Sequence, residues 1–102
     1  MSVLVYIESK NNKPNKNSAE VISYGKELAN KLSSELTVLT INIDDLTELN
    51  KYGPDKILKI TDNSLNKFDA KTFADIIFQA ADKFSISHVI LSGGVDSKYL
   101  AP

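Results

Sequence analysis

The sequence predicts an α/β fold: a three-layer domain with a parallel β-sheet and elements in the order βαβαβαβ. Three observations predict it. Short apolar runs, continuous rather than alternating, recur along the chain, as expected for strands buried on both faces. Stripes at helical spacing stand between them. The length, 102 residues with 42% hydrophobic and 25% charged, suits one small globular domain spanning 1–102. Alternation of this kind implies right-handed crossovers with helices on both faces of the sheet.

The first strand is Val3-Leu4-Val5-Tyr6-Ile7, a wholly apolar run. The segment Ser9–Lys16 that follows is rich in Asn and Lys and contains Pro14, which reads as surface turn chemistry. Asn17 stands at a helix N-cap, with Glu20 in capping-box spacing. Val21, Gly25, Leu28 and Leu32, flanked by Ile22 and Ala29, form the apolar face of that first helix. Glycine in mid-helix costs about 1 kcal/mol against alanine, so Gly25 is expected to permit close packing on the sheet.

Leu36–Ile43 is the second strand, rich in β-branched residues. Asp45 is expected to cap a short helix, with Glu48 at the box position, Leu46 and Leu49 inward, and Tyr52-Gly53-Pro54 as the stop. Ile57–Ile60 is the third strand. Asp69 caps the most regular helix, whose stripe is Phe73, Ile76, Ile77, Ala80, Ala81 and Phe84. His88–Leu91 is the fourth strand. The chain stops five residues past Ser97, where another helix is due, so the domain is expected to be incomplete at its C-terminus.

Composition excludes several chemistries. Cysteine is absent, which removes disulfides, thiolate metal sites and cysteine nucleophiles. A net charge of −1, with twelve lysines and no arginine, gives no reason to expect a nucleic-acid or anionic-membrane partner. The opening lacks a basic n-region, and no stretch approaches the roughly 18 apolar residues of a membrane span, so the expected location is cytoplasmic.

Four features could carry function. Ser92-Gly93-Gly94-Val95-Asp96-Ser97 spells a pyrophosphate loop of ATP-cleaving enzymes: two glycines let backbone N–H groups approach phosphate after a strand. The same residues also suit a strand-to-helix turn capped by Asp96 or Ser97. The lone histidine, His88, has Asp82 and Asp96 as the acids near it in sequence, and otherwise reads as a structural residue at a strand end. Asp44 and Asp45 sit at a strand's carboxyl end, where paired acids can hold a cation or move protons, or where one caps a helix. Lys10, Lys13 and Lys16 form a small basic cluster within a solvated loop. No nucleophile–base arrangement can be assembled, so no catalytic, cofactor-binding or metal-binding residue is expected.

Three segments carry a family resemblance across essentially the whole chain. SVLVYIESKNNKPNKNSAEVISYGKELA, NKYGPDKILKITD and SHVILSGGVDSKYLAP resemble the N-terminal domain of the electron transfer flavoprotein alpha subunit. The middle segment is similar to that family's Y-G-A-D-K-V. In the last, Lys98, Leu100 and Pro102 match a G-(Lys or Arg)-(Asp or Asn)-L-x-P turn, whereas Ser97 replaces its Gly and Tyr99 its Asp or Asn. The family's opening Glu is often followed by His; here Ser9 follows Glu8. The resemblance implies a fold related to adenine-nucleotide alpha-hydrolase-like and Rossmann-like folds. It also implies a structural, partner-contacting domain without a catalytic site of its own. In such heterodimers electrons pass from dehydrogenases to a quinone oxidoreductase, a beta subunit is the partner, and FAD is held mainly in a C-terminal domain that this chain lacks. No cofactor is therefore expected on this chain. The competing function is a nucleotide-binding module built on the SGGVDS loop.

Overall fold

A computed structural model describes residues 2–10, 12–14, 16–65 and 69–91. The SGGVDS loop and the Lys98–Pro102 tail lie outside the described residues. The elements are β1 (Ser2–Ile7), a two-residue pair β2 (Ser9–Lys10) and β3 (Lys13–Pro14), α1 (Ser18–Lys31), β4 (Glu35–Ile41), α2 (Thr47–Asn50), β5 (Lys56–Ile60), a 3-10 turn (Asn63–Leu65), α3 (Ala70–Lys83) and β6 (Ile86–Leu91). β2 and β3 pair antiparallel, so the Asn- and Lys-rich loop is a small hairpin. The four long strands pair parallel in the order β5-β4-β1-β6.

Alternate residues of the strands build two cores. Val3, Val5 and Ile7 of β1 join Leu36 and Val38 of β4, under Ile22 and Ala29 of α1 and Leu49 of α2. Leu4 and Tyr6 point the other way, joining Leu39 and Ile41 beneath Phe73 and Ile77 of α3. With both faces covered, β1 and β4 have no solvent side beyond Glu35, which is why Val3–Ile7 is continuously apolar and why Thr37 and Thr40 of β4 are buried with their apolar neighbours. The three-layer α/β fold with a parallel sheet is as the sequence predicts.

Gly25 explains the helix-to-sheet fit on the α1 side. A methyl group built there would meet Val5 Cγ2 at 2.5 Å and Leu36 Cδ1 at 3.1 Å. The helix therefore sits closer to the sheet than any larger residue permits. The buried residues of α1 are Ser18, Ile22, Gly25 and Ala29, so of the expected face Val21, Gly25, Leu28 and Leu32 only Gly25 is buried, and the expected flanks Ile22 and Ala29 lie at the centre of the buried stripe. Val21 and Leu28 flank it, and Leu32, at the C-cap, is exposed because the chain turns away at Ser33 with φ 52°.

Other differences from the sequence reading are local. β4 ends at Ile41 rather than Ile43, because Asn42 adopts φ 57° and turns the chain. Its side chain then continues the ladder: Nδ2 donates to the Asp62 carbonyl at 2.9 Å, and Oδ1 accepts from the Asp62 N–H at 2.8 Å. Asn17 is the N-cap of α1 without a side-chain capping bond. Asp45 lies one residue ahead of the α2 N-cap, Leu46, and accepts from the Thr47 N–H at 2.9 Å. Asp69 is the α3 N-cap, where its carboxylate accepts from the Thr72 hydroxyl.

Asp62 supports a pH prediction. Its Oδ1 accepts from the Ser64 N–H at 2.9 Å and the Ser64 hydroxyl at 2.8 Å. These bonds hold its carboxyl below the ordinary range, with the backbone bond the larger cause. A lowered carboxyl pKa stabilises the fold above the unfolded-state value, about 3.9, and that contribution is lost as pH falls through the folded value. Ser64→Ala removes only the hydroxyl bond, so the Asp62 titration, followed by NMR of its side-chain carboxyl carbon, is expected to move part of the way up. An unchanged titration would contradict the assignment.

Candidate functional site

The sheet order defines where a site can form. From β1 the chain steps outward through β4 to β5, then returns to the far side of β1 as β6. The direction reverses between β1 and β6, and ligands of open parallel sheets bind in the crevice beyond the carboxyl ends at such a reversal. At the carboxyl end of β1 stands Glu8, 4% exposed and engaged with its surroundings. Sequence reasoning did not single it out, although a carboxylate abutting the apolar run Val3–Ile7 was the available signal. β6 ends at Leu91, and the Ser92–Ser97 loop leaves from there. Position on the last strand therefore does not separate that loop from the first strand, since β6 is β1's neighbour.

Among the other candidates, His88 lies in the amino-terminal half of β6, away from the carboxyl edge. It is exposed rather than opening a buried strand. Its Nδ1 is 2.9 Å from the Ser87 hydroxyl, which donates to the Ser2 carbonyl at 3.3 Å. The register shifts there, Ser2 opposing Ile86 and Val3 opposing His88, so Ser87 is the extra residue of a bulge. Because the Ser87 hydroxyl has one proton, its bond to Ser2 leaves Nδ1–H of His88 as donor to Ser87. The ring is thus engaged with a serine at a strand irregularity, and Asp96 lies outside the described residues.

Asp44 and Asp45 do not assemble an acid–base pair. The Asp45 carboxyl is pushed down from its ordinary value, first by its side-chain bond with Thr47, then by the Thr47 N–H, with Lys59 adding to this. A general acid needs the opposite shift. Asp44 contributes backbone: its carbonyl accepts from Lys59 Nζ at 3.2 Å, and its N–H donates to the Asn12 carbonyl at 3.3 Å, tying the hairpin to the end of β4. Lys13 and Lys16 are exposed on that hairpin segment. Among the described residues no group of three or more His, Asp or Glu could hold a metal ion. No helix among them is long and apolar enough to cross a membrane.

The Tyr52–Lys56 segment has a clear structural logic at the opposite, amino-terminal edge. Gly53 has φ +82°, with open space around it, so backbone conformation and not crowding calls for glycine. The turn delivers Asp55, whose Oδ2 accepts from the Leu36 N–H at 2.7 Å while its own N–H donates to the Leu36 carbonyl at 2.9 Å. This two-way clasp sets β5 beside β4, and Lys26 of α1 adds an ion pair at 3.7 Å. Tyr52 donates to Glu48 at 3.1 Å across one turn.

Comparison with known proteins agrees with this architecture. The solved structure of a universal stress protein from Archaeoglobus fulgidus is similar, with a TM-score of 0.62 over 98% of this chain and 90% of that one. At 12% identity that likeness shows the fold alone. No curated protein matches the sequence. The model of the electron transfer flavoprotein domain matches residues 3–102, taking in the three segments on which the resemblance rests. By that match, over nearly its whole length, the chain belongs to the electron transfer flavoprotein domain family.

Proposed function

We propose that this chain is the alpha-type, N-terminal domain of an electron transfer flavoprotein: a structural and partner-contacting module with no catalytic site of its own. It acts in a heterodimer with a beta subunit, passing electrons from dehydrogenases to a quinone oxidoreductase, and FAD is bound by another domain of the full protein. The family match over residues 3–102 carries the reading. The Tyr52–Lys56 turn supports it, because its glycine and aspartate do defined work in joining β4 to β5. The chain's own residues bury β1 and nearly all of β4 on both faces, a packed centre on which a docking module can be built. Its working location in this reading is cytoplasmic.

A second reading is favoured by one observation: β6 runs beside β1 and ends at Leu91, at the point of the sheet order where such sheets bind nucleotides, and the SGGVDS spelling follows it in sequence. Calorimetric titration with ATP and AMP separates the two. The flavoprotein reading expects no heat of binding at millimolar nucleotide and no effect of Gly93→Val or Gly94→Val. Saturable binding that either substitution abolishes would replace it with the nucleotide-binding one.

A further inference from the structure

β5 stands at the edge of the sheet remote from β6, the strand from which the chain continues. In a parallel pair, alternate residues turn both backbone groups toward the neighbour. The Ile60 carbonyl accepts from the Asn42 N–H at 2.7 Å and the Leu58 carbonyl from the Thr40 hydroxyl at 3.5 Å, so Leu58 and Ile60 face β4. Ile57 and Lys59 therefore present their N–H and C=O groups to the open side, where among the described residues no strand pairs with them. Between this edge and α3 runs an open groove of about 460 Å³, whose apolar lining includes Ile57, Leu58, Ile60, Ile76 and Ala80. The charged residues that line it are Lys59 and Lys83. Neither forms a salt bridge among the described residues. Lys59 donates to the Asp44 carbonyl and acts on Asp45 only from further away, and Lys83 lies 5.7 Å from the centroid of the Phe84 ring.

We propose that this edge takes up an acidic, extended segment of a partner protein as an added strand. The proposal rests on the partner-contacting reading only in taking the occupant to be a protein. The open backbone groups of Ile57 and Lys59 supply the ladder for such a strand. Alternation then sorts its side chains. Every second one lies over the groove, where Leu58, Ile60 and Ile76 call for apolar residues. Those between point to the Lys59 side, where a carboxylate meets an ammonium without an acidic partner. Lys83 extends the same preference to the rim formed by α3. Charge rules out a second copy here, because β5 against β5 sets lysines against lysines, and it rules out a basic segment in the same way. The lysines that guard the edge against self-pairing thus select an acidic strand.

NMR titration of the whole isotope-labelled chain with a synthetic peptide of about seven residues, valine alternating with glutamate, tests this. The expected result is a saturable shift of the Ile57 and Lys59 amides and of the Ile76–Lys83 side of α3. The same peptide with lysine for glutamate is expected to bind roughly tenfold more weakly or worse. Lys59→Glu combined with Lys83→Glu should weaken the glutamate peptide by about five- to thirtyfold and strengthen the lysine peptide. The comparison of the two peptides needs no variant, so it decides the matter even if the charge reversals disturb folding. Absence of saturable shifts at millimolar glutamate peptide overturns the proposal. So does equal affinity for the two peptides, or a set of shifts confined to β6 and its surroundings. None of these outcomes bears on co-elution with a beta subunit, so the flavoprotein reading stands or falls separately.

Discussion

Gly25→Ala is expected to lower stability by about 1–2 kcal/mol, although alanine is the better helix former by about 1 kcal/mol. The reason is the 2.5 Å approach of the added methyl to Val5 Cγ2. Val5 is fully buried in β1 and β-branched, so it cannot swing aside as a long flexible side chain would. Overpacking of this kind costs about 1–3 kcal/mol, which outweighs the propensity gain. Gly25→Leu, with three more heavy atoms directed at Val5 and Leu36, is expected to lose about 3 kcal/mol or more. For a domain of this size the alanine variant should melt roughly 5–15 °C lower. A double-mutant cycle with Val5→Ala isolates the contact: the penalty at Gly25 should shrink once Val5 is truncated. An alanine variant more stable than wild type would show that helix propensity dominates and that α1 has room to move.

Asn42→Ala carries the second large expected effect, a loss of about 2–4 kcal/mol. Two contributions combine. The side chain bonds both the carbonyl and the N–H of Asp62, and each bond is worth about 0.5–1.5 kcal/mol. The backbone is left-handed at φ 57°, which Asn tolerates and Ala resists by about 1–2 kcal/mol. Asn42→Gly separates them, because it removes the bonds but relieves the conformation; it should be the milder of the two in urea denaturation. Equal losses for Ala and Gly would mean that the conformation adds nothing. A loss below 0.5 kcal/mol for both, within the range of ordinary surface changes, would mean that the Asp62 bonds add nothing either.

The parallel sheet and its helices were legible because burial on both faces leaves a plain mark: Val3–Ile7 has no polar residue to alternate with. Gly25 was legible as a close-approach residue because a glycine inside a helical stripe has few other uses. The stripe's exact rotation was not, since which neighbouring positions face the sheet is set by packing against Val5 and Leu36 and not by one-dimensional spacing. The end of β4 was misplaced for a related reason. Ile41-Asn42-Ile43 looks like continued strand, and only the reach of Asn42 across to Asp62 makes the turn stable. By composition alone the hairpin of β2 and β3 reads as loop, because its lysines and asparagines suit either.

At the site level the sequence pointed to the loop after Leu91 but not to its neighbourhood. Strand order is a property of the whole chain, and it sets β6, the last described strand in sequence, directly beside the first, β1. Glu8, buried at that junction, was overlooked because one carboxylate after a strand looks like any strand exit. Asp44 and Asp45 looked like a pair by adjacency, yet Asp45 is committed to Thr47 and Asp44 acts through its backbone.

Partner binding tests the central claim most directly. The chain, mixed with an electron transfer flavoprotein beta subunit and passed over a calibrated size-exclusion column with light-scattering detection, is expected to co-elute as a complex containing both proteins. The chain alone should carry no flavin absorbance. Separate elution of the two proteins at every ratio, with flavin or nucleotide retained by this chain instead, would contradict a partner-contacting flavoprotein domain.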